Sequence, residues 1–108
     1  MMTVHKSSYS NPFGLLTTKG NSESVADDGE IIICTSKTGW GSVAGGDQEG
    51  QVDFAFDSSG NVTSRFIGGN GAILDTDGKI CVYNDGGVVT IKNRLGGTKT
   101  VRWFVEYS

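Results

Sequence analysis

No window of this 108-residue sequence sustains a helical period. Apolar and polar residues alternate instead, and Gly, Asp or Asn cuts the alternation every few residues. A period of two places successive side chains on opposite faces of a pleated strand, so this pattern restricts the chain to an all-β fold. Glycine stands at 17 positions and proline at 1. Without a collagen-like repeat, that much glycine marks tight turns between short strands.

The strands can be read off in order. "FGLLTT" (13–18) is a weak first strand and "GNSESVADDG" (20–29) reads as a loop with room for a short strand. "EIIICTS" (30–36) is apolar on both faces, which predicts a central strand covered on both sides. "GWGSVAGG" (39–46) is a short strand carrying Trp40. The clearest hairpin is "GQVDFAFDSSGNVTSRFI" (50–67). In it Val52, Phe54 and Phe56 face inward and Asp53 outward, and the return strand is expected to turn Val62 and Phe66 in and Arg65 out. Its turn "DSSG" suits type I, since the Asp57 side chain can bond the backbone ahead of it. A short strand "AIL" (72–74) is expected between "GGNG" and "DTDG". "KICVY" and "VVTIKN" form a second hairpin across "NDGG", which supplies left-handed turn positions.

The last strand is the most regular: Val101, Trp103, Val105 and Tyr107 share one face, and Arg102, Phe104 and Glu106 the other. About eight strands with short connections predict a single antiparallel β-sandwich or jelly roll over residues 13–108, preceded by a polar arm at 1–12. The expected core holds Leu15, Ile31, Ile33, Val52, Phe54, Phe56, Val62, Phe66, Ile80, Val82, Val89, Ile91, Val101, Trp103 and Val105.

Charge is unevenly spread. Residues 1–78 carry four Lys/Arg against ten Asp/Glu, and residues 79–108 five against two. Such a split can favour head-to-tail contact between copies, or it can be two solvated faces. The N-terminal stretch has no apolar core of the kind a secretory signal needs, and no apolar run reaches the ~20 residues of a membrane helix. A soluble protein made in a cytoplasm is the expectation. In that setting Cys34 and Cys81 are most simply two buried thiols.

Residues that carry chemistry are sparse. The single histidine, His5, sits in the arm, which leaves no partner for a nucleophile. One distant histidine and two separate cysteines make no zinc set. "DTDG" (75–78) opens like a calcium loop, but Lys79 and Gly86 stand where further ligands belong, so a hairpin turn explains it better. Paired acids for sugar hydrolysis need a cleft that a chain of this length has little material to build. "GGNG" lacks the Lys-Ser/Thr of a phosphate loop. Nucleic acid would need a basic stripe with interleaved aromatics, and Trp103 and Phe104 fall on opposite faces of an acidic protein. No catalytic, cofactor or metal residue is therefore assigned. What stands out is Phe104: with Trp103 turned inward it faces outward between Arg102 and Glu106. That strip is either an interface or is covered by another layer of the same chain.

"TGWGSVAGGDQEGQVDFAFDSSGNVT" and "DTDGKICVYNDGGVVTIKNRLGGTKTVRWFVEYS" together resemble small β-sandwich domains of tailed-bacteriophage structural proteins, namely head decoration (cement) proteins and trimeric tail-fibre tips. The likeness covers residues 37–108 and includes an "I-x-N-x-L-G" stretch, here Ile91, Asn93, Leu95 and Gly96. It implies a jelly-roll or tumour-necrosis-factor-like sandwich that self-associates, often as a trimer, and that joins a virion rather than catalysing a reaction. A fibre tip follows a long shaft, whereas only about a dozen residues precede the first strand here, so the likeness leans to a capsid decoration protein. Its partner would then be the major capsid protein, and its place the capsid surface. The resemblance directs the interface to Tyr9, Pro12 and Phe13 in the arm, and to Arg102, Phe104 and Glu106 on the strip. The alternative is host recognition by a fibre tip or carbohydrate-binding module, using an aromatic such as Trp40 or Tyr83 with a loop acid such as Asp47.

Overall fold

A computed structural model describes residues 16–108. The expectations placed on His5, Tyr9, Pro12, Phe13 and Leu15, and on the 1–12 arm, lie outside the described residues. The described chain is a β-sandwich without a helix. Its nine strands are β1 (Thr17–Val25), β2 (Glu30–Thr35), β3 (Gly39–Gly45), β4 (Gly50–Phe56), β5 (Val62–Gly69), β6 (Gly71–Ala72), β7 (Ile80–Asp85), β8 (Val88–Asn93) and β9 (Lys99–Tyr107). One sheet has the order β1-β9-β3-β4-β5 and the other β2-β8-β7-β6. All pairings are antiparallel except the short β6–β7 contact. The two ends of the described chain wind against each other, β1 on β9 and β2 on β8, as in the ribbon of a jelly roll.

The core lies between the sheets. Phe54, Val43, Val52, Val101 and Val105 from the five-stranded sheet meet Ile33, Ile80, Val82, Val89 and Ile91 from the four-stranded sheet, all essentially without solvent exposure. Each such side chain contributes roughly 1.5–3 kcal/mol relative to an exposed position. Strand β9 is hydrogen-bonded on both sides, to β1 and β3, and Trp103 packs partly buried against the core beneath it. The last residue extends this ladder, since Ser108 and Thr38 exchange backbone hydrogen bonds at 3.1 and 3.3 Å.

Both hairpins form as the turn chemistry requires. The Asp57 carboxylate accepts from the backbone N–H of Ser59 and Asn61 and from the Asn61 amide at 2.9–3.1 Å. That amide bond, helped by the backbone donors, holds its pKa below the usual carboxylate range. The β7–β8 hairpin closes through Gly86 and Gly87, both at positive φ (61° and 95°), as a two-residue turn of the primed kind demands.

Five expectations change. The short strand read at 72–74 is instead Gly71–Ala72, and Leu74 beyond it is 71% exposed. The 20–29 stretch is mostly not a loop: Thr17–Val25 is a nine-residue strand. Its inward positions carry Lys19, Asn21 and Glu23, so no apolar alternation announces it. Lys19 donates to the Ile33 carbonyl at 2.7 Å and lies 5.6 Å over the Tyr107 ring, while Glu23 accepts from the Trp103 indole at 3.0 Å. Inward charges of this kind blunt an edge strand against open pairing. Strand β2 is not central either. It is the edge of its sheet, with a bulge between Ile32 and Cys34 that buries Ile33 and leaves Ile32 59% exposed. Phe66 points outward, 53% exposed, because β5 bulges at Arg65 and inverts the alternation beyond it. Finally, the basic segment 79–108 does not face solvent as a block. Lys92, Arg94 and Lys99 pair with Glu30, Asp28, Asp75, Asp77 and Glu49 from the acidic segment.

The "I-x-N-x-L-G" stretch now has a structural role. Ile91 is buried in the core and Leu95 packs against it. Gly96 takes φ 97° in the β8–β9 turn. Asn93, fully buried, donates its amide to the carbonyls of Val25, Ala26 and Gly97 at 2.8–3.3 Å and accepts from the Leu95 N–H at 3.0 Å. Its own backbone takes the N–H of Asp28 at 2.6 Å and donates to Gly29 at 3.0 Å. Asn93→Ala leaves the buried Val25 carbonyl, the part-buried Ala26 and Gly97 carbonyls and the Leu95 N–H without this partner. The expected loss is about 2–4 kcal/mol, or roughly 10–25 °C in melting temperature. Asn93→Asp is expected to be no better, because a carboxylate cannot donate to carbonyls. Thermal unfolding followed by circular dichroism checks both.

Candidate functional site

The outer face of the five-stranded sheet is built by register. Opposed residues in β9, β3 and β4 form three rows: Glu106–Trp40–Ala55, Phe104–Ser42–Asp53 and Arg102–Ala44–Gln51. Strand β1 extends these rows with Thr18, Gly20 and Ser22, and β5 adds Thr63, Phe66 and Gly68. Phe104 and Phe66 therefore stand at opposite sides of the middle row, three strand spacings or about 14 Å apart at the backbone, with Ser42 and Asp53 between them. The sequence-predicted strip is in place: Phe104 is 49% exposed, Arg102 is exposed, and Glu106 is half-buried. Of the two readings left open for Phe104, no layer of the described residues covers it.

The floor of this face is polar and held in position. The Asp53 carboxylate accepts from the Ser42 hydroxyl at 2.6 Å and from the Gln51 amide at 3.1 Å, both on Oδ1. Glu106 accepts from the Thr18 hydroxyl at 3.1 Å. A shallow hollow of about 400 Å³ lies among Trp40, Ser42, Asp53, Arg65 and Phe104. A second, of about 440 Å³, lies among Ala44, Gln51, Phe66, Gly68 and Arg102. Gln51 lines both, so the two hollows adjoin across the face.

The other residues named from the sequence do not gather here. Tyr83, on β7, belongs to the opposite sheet, so Trp40 and Tyr83 share no site. Asp47 lies in the β3–β4 turn, at the far end of β3 from Trp40. It lines a third hollow of about 510 Å³ with Thr98, Thr100 and Arg102, where Lys99 bridges Glu49 at 3.1 Å; this hollow adjoins the face only at its end, through Gly46 and Arg102. Asp75 and Asp77 are turned onto Arg94 at 3.2 and 3.7 Å, so the "DTDG" charges meet cations of this chain. Among the described residues no three His, Cys, Asp or Glu side chains are grouped to hold a metal ion. Cys34 and Cys81 are both free thiols, on β2 and β7 with β8 between them. Loss of solvation raises the pKa of each, which keeps them protonated and poorly nucleophilic. Sequence reasoning missed Phe66 and Gln51 as members of the face. The run "RFI" (65–67) held the one hint, since three bulky residues in succession cannot all obey alternation.

The outer face of the four-stranded sheet differs. Thr76, from the segment between β6 and β7, lies against Cys81, giving its N–H to the sulfur at 3.4 Å and taking the thiol on its carbonyl at 3.3 Å. Tyr83 reaches Glu30 at 3.5 Å. Lost solvation first, and then the charges of Glu30, Asp75 and Asp85, push its pKa up to about 12.

Comparison with protein-family models, with curated proteins and with solved structures finds no match for this chain.

Tyr83 gives a pH test of the packing. Its native pKa lies above the ordinary value of about 10. The native state thus holds this proton longer than the unfolded chain does. The associated stability is fully present below pH about 10 and is lost as the pH rises toward 12. Absorbance titration of phenolate should show one tyrosine ionising near pH 12, and Glu30→Gln should lower that midpoint. A Tyr83 midpoint near 10 in the native protein would contradict the geometry.

Proposed function

We propose that this chain is a non-enzymatic structural protein of a tailed-phage particle. In this reading it is a capsid decoration protein, stabilising the head by bridging capsid subunits through the outer face of the five-stranded sheet. One observation carries the assignment of the face: Phe104 stands half-exposed between Arg102 and Glu106, on a face that no described residue covers. An aromatic beside arginine, rimmed by polar groups, is the composition of a contact patch. The phage assignment rests on the sequence likeness over residues 37–108. The core and its polar clamps supply a rigid platform, so the energy of contact need not be spent on ordering the face. Phe104→Asp is expected to leave the 52–66 hairpin and the melting temperature intact while weakening binding to capsids of its own virus at least tenfold, as loss of a central aromatic contact does. Co-sedimentation with mature capsids measures this, and a variant that binds as tightly as wild type would remove the face from the account.

A second reading is favoured by the floor of the face. A carboxylate fixed on one oxygen, beside an amide, two guanidinium groups and open aromatic rings, is the chemistry that holds sugar hydroxyls and the apolar face of a sugar ring. A glycan array separates the two readings: selective saccharide retention that Asp53→Ala abolishes would favour host recognition over capsid contact.

A further inference from the structure

The outer face is self-complementary. Along β9, Arg102 precedes Phe104 by two residues and Glu106 follows it by two. On β3, the small Ala44 lies beside Arg102, the large Trp40 beside Glu106, and Ser42 beside Phe104. Consider a second copy laid on this face after rotation by half a turn about an axis running across the strands through Phe104 and Ser42. The outer rows then exchange places. Arg102 of one copy meets Glu106 of the other, Trp40 meets Ala44, and Phe104 meets Phe104. In the two rows flanking the axis, charges oppose and the large Trp40 meets the small Ala44, while on the axis Phe104 and Ser42 each meet their own mates. A two-fold contact of this kind uses the same patch twice.

We propose that this face binds a second copy of the chain in a two-fold, face-to-face pair centred on Phe104. The inference rests on the reading that the face is the working contact: in the free protein a second copy occupies it, and capsid and copy then compete for the same patch. Twist between packed sheets, about 30°, limits close opposition to β9 and β3, and these are the strands on which the pattern is complete. Asp53, one strand further on, approaches its own mate. Its Oδ1 is already held by Ser42 and Gln51, and Arg65 lines the same hollow. The face spans roughly 20 Å across the strands. A patch of that size falls below the standard interface area, so the pair forms reversibly with concentration.

The isologous register makes a test that few other contacts would pass. Arg102→Glu and Glu106→Arg each place like charges together twice, so each variant alone should self-associate at least tenfold more weakly than wild type. Mixed in equal amounts, the two variants restore every opposite pair and should form a heterodimer. The double variant R102E/E106R should pair with itself as wild type does. Sedimentation velocity over a concentration series reads all four cases, and circular dichroism checks that each variant is folded. The pair is overturned if the mixture stays monomeric, if the single variants associate like wild type, or if wild type sediments as a monomer throughout or as a trimer. Capsid binding that still depends on Phe104 in those cases would leave the contact face standing and remove only the two-fold partner.

Discussion

One buried side chain ties the sandwich together. Asn93 ends β8 at the place where the β1–β2 turn and the β8–β9 turn converge, and it satisfies backbone groups from both. These two turns carry the chain from one sheet to the other. Without the amide, the buried Val25 carbonyl and the part-buried Gly97 carbonyl would lose this partner, which costs free energy comparable to lost hydrogen bonds. With it, the turn that leaves β1 and the turn that enters β9 are held together, at the end where β1 and β9 pair in one register. The rows of the outer face are fixed by that same register. A shift of one residue in β9 would turn Phe104 inward and Trp103 outward, and the strip would disappear.

The two outer faces divide the work. On the four-stranded sheet, Thr76 lies against Cys81, and the nearby acids meet Lys92 and Arg94. Its charges are largely spent on one another. On the five-stranded sheet the described chain lays nothing over Phe104 and Phe66, and the polar groups between them are oriented by short bonds within the sheet. A face that is rigid, partly aromatic and uncovered is prepared for contact with another molecule.

Much of this was legible in the sequence, and the failures have physical causes. Both hairpins were readable because their turns need particular chemistry: an Asp that bonds ahead, and a Gly pair at positive φ. The final strand was readable because both of its faces matter, so its alternation is strict. Strand β1 was hidden because its inward positions carry Lys19 and Glu23, whose partners lie far along the chain on Ile33 and Trp103. "EIIICTS" looked central because its run is apolar on both faces, yet a bulge at an edge buries Ile33 and exposes Ile32. Phe66 was misplaced for a similar reason, since one extra residue at Arg65 reverses the faces and no local motif marks it. The charge split along the chain dissolved once long-range ion pairs formed. The strip on β9 was expected from its alternation alone, whereas its neighbours Trp40, Asp53 and Phe66 required the pairing of β3, β4 and β5.

Assembly through the outer face of the five-stranded sheet, as proposed, requires that this face be covered in the assembled state. Hydroxyl-radical footprinting, comparing dilute protein with protein at high concentration or mixed with capsids of the proposed kind, tests this most directly. Phe104, Phe66 and Trp40 should lose reactivity together on assembly. Ile32 and Leu74, the exposed apolar side chains contributed by β2 and the β6–β7 segment, should keep theirs. Protection of Ile32 and Leu74 with Phe104 and Phe66 still fully reactive would contradict the account.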